Sequence, residues 1–223
     1  MGPILFILFI FLIIGSIFWS SHLAAQRRAA MAEVAASLGL SFSSEKNWSY
    51  DEQYPFIRKL CQGNRRYGFN VLEGQYRGHS VLLFDYHYQT TSTDSKGRRK
   101  THHHYFSFFI LHFAASFPEL LICREGWFSK VTQFLGFDDI DFESAEFSNM
   151  FLVKSPDKKF AYDICHGQMI EFLLQNRDLN IEIERNCLTL FFGNRLSPNS
   201  IPHHIDRLVA IREMFPQYLM DQH

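Results

Sequence analysis

Residues 4–25 contain no Asp, Glu, Lys or Arg, and the stretch Ile4–Trp19 is built almost wholly from Ile, Leu and Phe. An uncharged run of that length is hard to house in a soluble core, because a helix that is apolar on all sides needs a large interior to hide in. As a helix, Ile4 to Ala25 would span about 33 Å at ~1.5 Å per residue, enough for a bilayer core. No Lys or Arg precedes the run, which is also longer than the apolar segment of a cleaved signal peptide, and Leu23-Ala24-Ala25 is a weak cleavage match. The expectation is an uncleaved transmembrane anchor over 1–25, with Trp19 at the interface.

The chain is also poor in cysteine. Cys61, Cys123, Cys165 and Cys187 are its four thiols, widely spaced and without a C-x-x-C pair. That excludes a disulfide framework and favours free thiols in a reducing compartment. Charge is balanced, with 22 basic against 23 acidic residues, which argues against nucleic acid as a main partner. Motifs of nucleophilic or phosphate chemistry are missing: there is no G-x-S-x-G, no G-x-x-x-x-G-K-[ST] and no G-x-G-x-x-G. A catalytic site dispersed along the chain stays open, because such sites are assembled by the fold. Cys165-His166 and His203-His204 are adjacent pairs of no specific spacing.

What the sequence does contain begins with Arg27 and Arg28, the first cations after the apolar run. The positive-inside rule then puts the remainder of the chain in the cytoplasm. Residues 26–39 read as a juxtamembrane helix, with Met31, Val34 and Leu38 at helical spacing and Gly39 as the stop. Residues 40–223 are enough for a single domain. Strand patterns follow at Tyr67–Glu73, His79–Gln89 and His102–Phe113, the last two joined by the polar loop 90–101. Further strands are expected at 120–124 and 147–154, and a second hairpin at 179–192 turning across Arg185-Asn186. Helical patterns cover Trp127–Leu135, the second half of 158–176, and 202–219, where Pro216 should kink or end the helix. About seven strands with helices between and after them imply an α+β fold with a mostly antiparallel sheet. A pleckstrin-homology-like barrel is the alternative.

Two candidate sites stand out. With a hairpin centred near residues 95–96, His87 pairs with His104 and Gln89 with His102. Asp85, His87, His102 and His104 then share one face, a donor set of the type and number that zinc takes. The opposite face would carry Leu82, Phe84, Tyr86 and Tyr88 against His103, Tyr105 and Phe109 as core. A one-residue slip would turn His87 away from the set. The second candidate is the loop itself. Lys96, Arg98, Arg99 and Lys100 place four cations in five residues, suited to anionic headgroups or to the acidic stretch Asp138, Asp139, Asp141, Glu143 and Glu146. That stretch lacks the spacing and glycine of an EF-hand.

Phe84-Asp85-Tyr86-His87-Tyr88, Asp139-Ile140-Asp141-Phe142-Glu143 and Phe147-Ser148 followed by a short strand and Asp157 occur in that order. They come after Leu38-Gly39-Leu40-Ser41-Phe42 and Asn70-Val71-Leu72-Glu73-Gly74. The combination resembles an uncharacterised family of bacterial single-span membrane-anchored proteins, over most of residues 31–192. The resemblance implies a bacterial source and a single domain, and it carries no activity, cofactor or catalytic residue. The expected function is thus a membrane-tethered cytoplasmic binding or scaffolding module, touching lipid and a membrane protein. The alternative is a metal-binding module or metal-dependent enzyme on the His/Asp cluster.

Overall fold

The computed structural model describes residues 3–124 and 138–221. The helical pattern expected at Trp127–Leu135 lies outside them. The chain opens with a single helix, α1 (Pro3–Leu38), that runs unbroken from the apolar segment into the body of the domain. Its two parts meet different surroundings. Phe11 and Leu12 are 67% and 72% exposed, whereas Met31 and Ala35 are 1% exposed within the core. The described part of the apolar segment exposes large side chains on every face from Phe6 to Ile14, and α1 is long and apolar enough to cross a bilayer. It ends at Gly39, whose φ of +69° suits a residue without Cβ. There the Leu40 and Gly39 N–H groups return to the carbonyls of Ala35 and Ala36.

The rest is α+β. Short β1 (Ser41–Ser43) pairs with β2 (Asn64–Tyr76), β2 with β3 (His79–Thr93), and β3 with β4 (Arg99–Arg124), all antiparallel. Then come α3 (Ala145–Met150), β5 (Phe151–Lys154), α4 (Lys158–Ile164), α5 (Gly167–Gln175), β6 (Ile181–Phe192), α6 (Ile201–Glu213) and α7 (Gln217–Asp221), while the four-residue α2 (Tyr50–Gln53) sits between β1 and β2. The sheet has six strands, with β4 as its spine. β3 and then β5 occupy one edge of β4, and β6 runs along the other from Ser107 to Ile122. Among the described residues β1 pairs with β2 alone, so the sheet stays open and is not a barrel.

Strand alternation sorts the side chains onto two cores. One face carries Leu83, Phe109, Leu111 and Leu190 against Met31 and Ala35 of α1 and against Ile205, Leu208 and Val209 of α6. The other carries Phe84, Tyr86, Tyr88, Phe106 and Phe108 under the segment that holds Tyr50, Ile57 and Leu60. Tyr50 stacks on Phe84 at 4.3 Å between centroids, and the Tyr86 hydroxyl donates to the Leu60 carbonyl at 2.6 Å.

Four elements differ from the sequence expectation. β4 is one continuous strand where two were expected, since β6 pairs along it across the irregular stretch between His112 and Leu120. β6 in turn is not a hairpin. Arg185, at φ +53°, bends the strand opposite Phe117 instead of reversing it. Phe147–Met150 is helical, capped by the Ser144 hydroxyl, and the strand begins only at Phe151. The first half of 158–176 is helical as well, because Asp157 caps α4 by accepting from the Phe160 N–H at 3.0 Å.

Candidate functional site

The loop between β3 and β4 decides the fate of the expected metal set. Asp94 organises it: its side chain accepts from the Lys96 and Arg98 N–H groups, each at 2.9 Å, and from the Arg98 guanidinium. Gly97, at φ +76°, returns its N–H to the Asp94 carbonyl. This is a turn with an odd number of residues centred on Lys96, so Thr93 pairs with Arg99 and His87 with Tyr105, one residue away from the expected register. The slip splits the four candidate ligands. Asp85 and His87 face α1, while His102 and His104 face the opposite core. The aromatic pairing changes with it, so that Tyr88 stacks on His104 at 4.7 Å and on Phe106 at 5.5 Å.

The histidines form cross-strand ladders instead. His104 meets the Thr90 hydroxyl and His102 the Ser92 hydroxyl, both at 2.8 Å, on one face. On the other, His87 Nε2 lies 3.0 Å from His103 Nδ1. Burial first, and neighbouring cations and imidazoles after it, hold His87 and His104 below the usual histidine range. Among the described residues no group of three or more His, Cys, Asp and Glu is arranged to hold a metal.

Asp85 has a different task. It is 1% exposed, and both of its oxygens are occupied. Arg27 of α1 makes a two-pronged contact, Nε to Oδ2 and Nη2 to Oδ1, each at 2.9 Å. Asn70 Nδ2 donates to Oδ2 at 2.9 Å and the Ser107 hydroxyl to Oδ1 at 3.0 Å. Asn70 reaches the carboxylate from a β-bulge, at φ +50°, a backbone state that asparagine tolerates better than most residues. Arg27 also donates through Nη1 to the Leu196 carbonyl at 2.8 Å, and the Leu196 N–H donates to Ser107 at 3.0 Å. Helix α1, strands β2, β3 and β4, and the loop after β6 are thus tied at one carboxylate. A buried acid inside the apolar run Val81–Tyr88 required such a partner. The sequence carried that signal, and only the fold supplies its answer.

From this clamp two structures run the same way. Toward the N-terminus of α1, Ala24 lines a cleft with Tyr105, the partner of His87 and two residues beyond the Asp85 level on β4. The β3–β4 ribbon extends past that level. β2 makes its last pair at Gln89, and β6 ends opposite Ser107, so residues 90–93 and 99–102 form a two-stranded arm. Thr93 lies some 26 Å from Asp85 along the strand at ~3.3 Å per residue. Trp19 lies only about 12 Å from Arg27 at ~1.5 Å per residue. The four cations Lys96, Arg98, Arg99 and Lys100 sit at the exposed tip of this arm. The acidic stretch does not meet them: Asp139 pairs with Lys154 at 3.1 Å and Glu146 with Arg177 at 2.8 Å.

The cleft beside Ala24 escaped the sequence reading, since its walls come from five distant segments. It measures about 350 Å³ and is lined by Arg27, Arg28, Lys46, Tyr67, Tyr105 and Arg195 among others. A separate buried acid lies deeper in the sheet. Glu182 on β6 is 2% exposed, its Oε1 has no hydrogen-bond partner among the described residues, and burial, followed by the nearby Glu184 and Glu119, pushes it up to about 8. The adjacent pairs of the sequence reading are structural: burial raises the Cys165 thiol, His166 meets the Met214 carbonyl at 2.9 Å, and His204 contacts Arg207.

Fold and site together define an α+β domain locked onto the end of a helix long and apolar enough to span a membrane. No family model and no curated protein matches the chain. Among solved structures it is similar to the mycobacterial trehalose monomycolate transport factor A, TtfA, with a TM-score of 0.58 and 13% identity over 86% of this chain and 95% of that one. At that identity the likeness is one of fold.

Proposed function

We propose that this chain is a membrane-tethered, non-catalytic scaffold of the bacterial inner membrane. Its domain lies in the cytoplasm and meets the bilayer surface and a membrane-protein partner through the arm. The observation that carries the reading is the Arg27–Asp85 clamp. A tether that ends in a flexible linker leaves its domain free to turn, whereas α1 enters the core without a break and is bolted to three strands. The arm therefore holds one direction relative to the helix, toward its apolar part. Arg27 and Arg28 support the cytoplasmic side. The tip cations gain about 1 kcal/mol each near an anionic leaflet, and Asp94 offsets one of them through its contact with Arg98. The likeness in fold to TtfA, by name a trehalose monomycolate transport factor, is compatible with a membrane-associated, non-catalytic role.

The test is site-specific photo-crosslinking in native membranes. A photoreactive residue at Ser95, on the tip, is expected to capture lipid and a discrete integral membrane protein. The same residue at Arg77, in the turn at the far end of β3, is expected to capture neither. Equal capture at both positions, or only soluble proteins at Ser95, would overturn the reading.

A further inference from the structure

We infer that the cleft at the foot of α1 is a binding site for a phosphate-bearing anionic headgroup. Its lining comprises Ala24, Arg27, Arg28, Ser44, Lys46, Tyr67, Phe69, Asn70, Tyr105 and Arg195, and these include four cations and no carboxylate. Arg27 spends its charge on Asp85. Arg28, Lys46 and Arg195 form no ion pair with any carboxylate among the described residues. Two of the three are held over aromatic rings instead, Lys46 4.3 Å from the Tyr67 centroid and Arg195 4.9 Å from that of Tyr105. Cation–π contact orients a charge without neutralising it. Three positive charges, two of them oriented, around a concavity of about 350 Å³ form a receptor for a small anion. Phosphate fits the fork of an Arg better than a monovalent halide does.

The walls add a second requirement. Tyr67, Phe69 and Tyr105 give the cleft an aromatic side, and Ala24 opens it along α1 toward the apolar segment. A phospholipid lying against the helix would put its phosphate between Lys46 and Arg195 and its first acyl carbons beside Ala24. A free glycerol phosphate satisfies the cations but leaves that side unused. Only the membrane source of the ligand rests on the function proposed above; the charge and shape of the cleft do not.

Calorimetry on the full chain in uncharged detergent micelles tests the site. Short-chain phosphatidylglycerol and glycerol phosphate are the two probes. Saturable binding of the lipid is expected, weakened about tenfold by the double variant Lys46→Gln/Arg195→Gln and retained by Lys46→Arg/Arg195→Lys. Both positions are exposed, so the fold is expected to survive either pair of changes. The arm variant Lys96→Gln/Arg98→Gln/Arg99→Gln/Lys100→Gln is expected to bind as the wild type does, which keeps this outcome separate from the crosslinking at Ser95. Equal binding of glycerol phosphate, lost in the same variant, supports the anion site with a soluble ligand. Absence of saturable binding, or unchanged binding by the Lys46→Gln/Arg195→Gln variant, would sink the proposal.

Discussion

Asp85 and Glu182 are two buried carboxylates in opposite surroundings. Asp85 accepts four donor contacts, two of them from the Arg27 guanidinium. Removing that partner leaves a buried anion without its counter-charge, so Arg27→Gln should cost about 3–5 kcal/mol. Asp85→Asn leaves the guanidinium 17% exposed and still bonded to Leu196, and should cost less, about 2 kcal/mol. The double variant should fall well short of the sum, and denaturant unfolding of the four proteins in detergent reads the coupling. Glu182 forms no ion pair among the described residues. Burial holds its folded pKa at about 8, above an unfolded value of ~4.3. The sign follows from proton uptake. The folded state holds the proton more tightly, so this contribution to stability is complete at low pH and is lost as pH rises through about 8. Glu182→Gln, which stays neutral, should therefore gain over the wild type with rising pH, by roughly 10 °C in Tm between pH 4 and pH 8. A Tm difference that does not vary with pH would contradict this.

At the scale of elements, local rules were legible and long-range pairings were not. The stop of α1 at Gly39, the break at Pro216 between α6 and α7, and the position of β3 all follow from spacing and backbone chemistry within a few residues. The hairpin register did not, because it turns on whether the loop holds an even or an odd number of residues. Asp94 and Gly97, three apart, are the signature of the odd turn and were readable. Weighing them would have separated His87 from His104 without a structure. The merging of the two expected strands into β4 had no such local sign. It depends on β6, which arrives some sixty residues later and bridges the irregular stretch at Phe117. The same holds for Arg27, read from sequence as a topology signal alone, whose partner lies 58 residues away.

At the scale of the whole molecule, the consequence is a domain whose orientation is set by helix phase. Arg27, Met31 and Ala35 recur every four residues, so one stripe of α1 carries both the clamp and the core contacts. An alanine inserted between Arg28 and Ala29 leaves Met31 and Ala35 in place but turns everything before them by about 100° and lifts it ~1.5 Å. Arg27 then points away from Asp85. The domain should still fold on its core, with a melting loss close to that of Arg27→Gln, while its attachment loosens. An alanine inserted between Ser21 and His22 lies beyond the clamp and should leave the Arg27–Asp85 contact intact. Spin labels on the exposed positions Gln26 and Arg77 report the difference in nanodiscs. One narrow distance distribution is expected for the wild type and for the insertion at Ser21, and a broad one for the insertion at Arg28. If the insertion at Arg28 keeps a narrow distribution at the wild-type distance, the core contacts of Met31 and Ala35 alone hold the domain. The clamp would then be a stability feature with no part in aiming the arm.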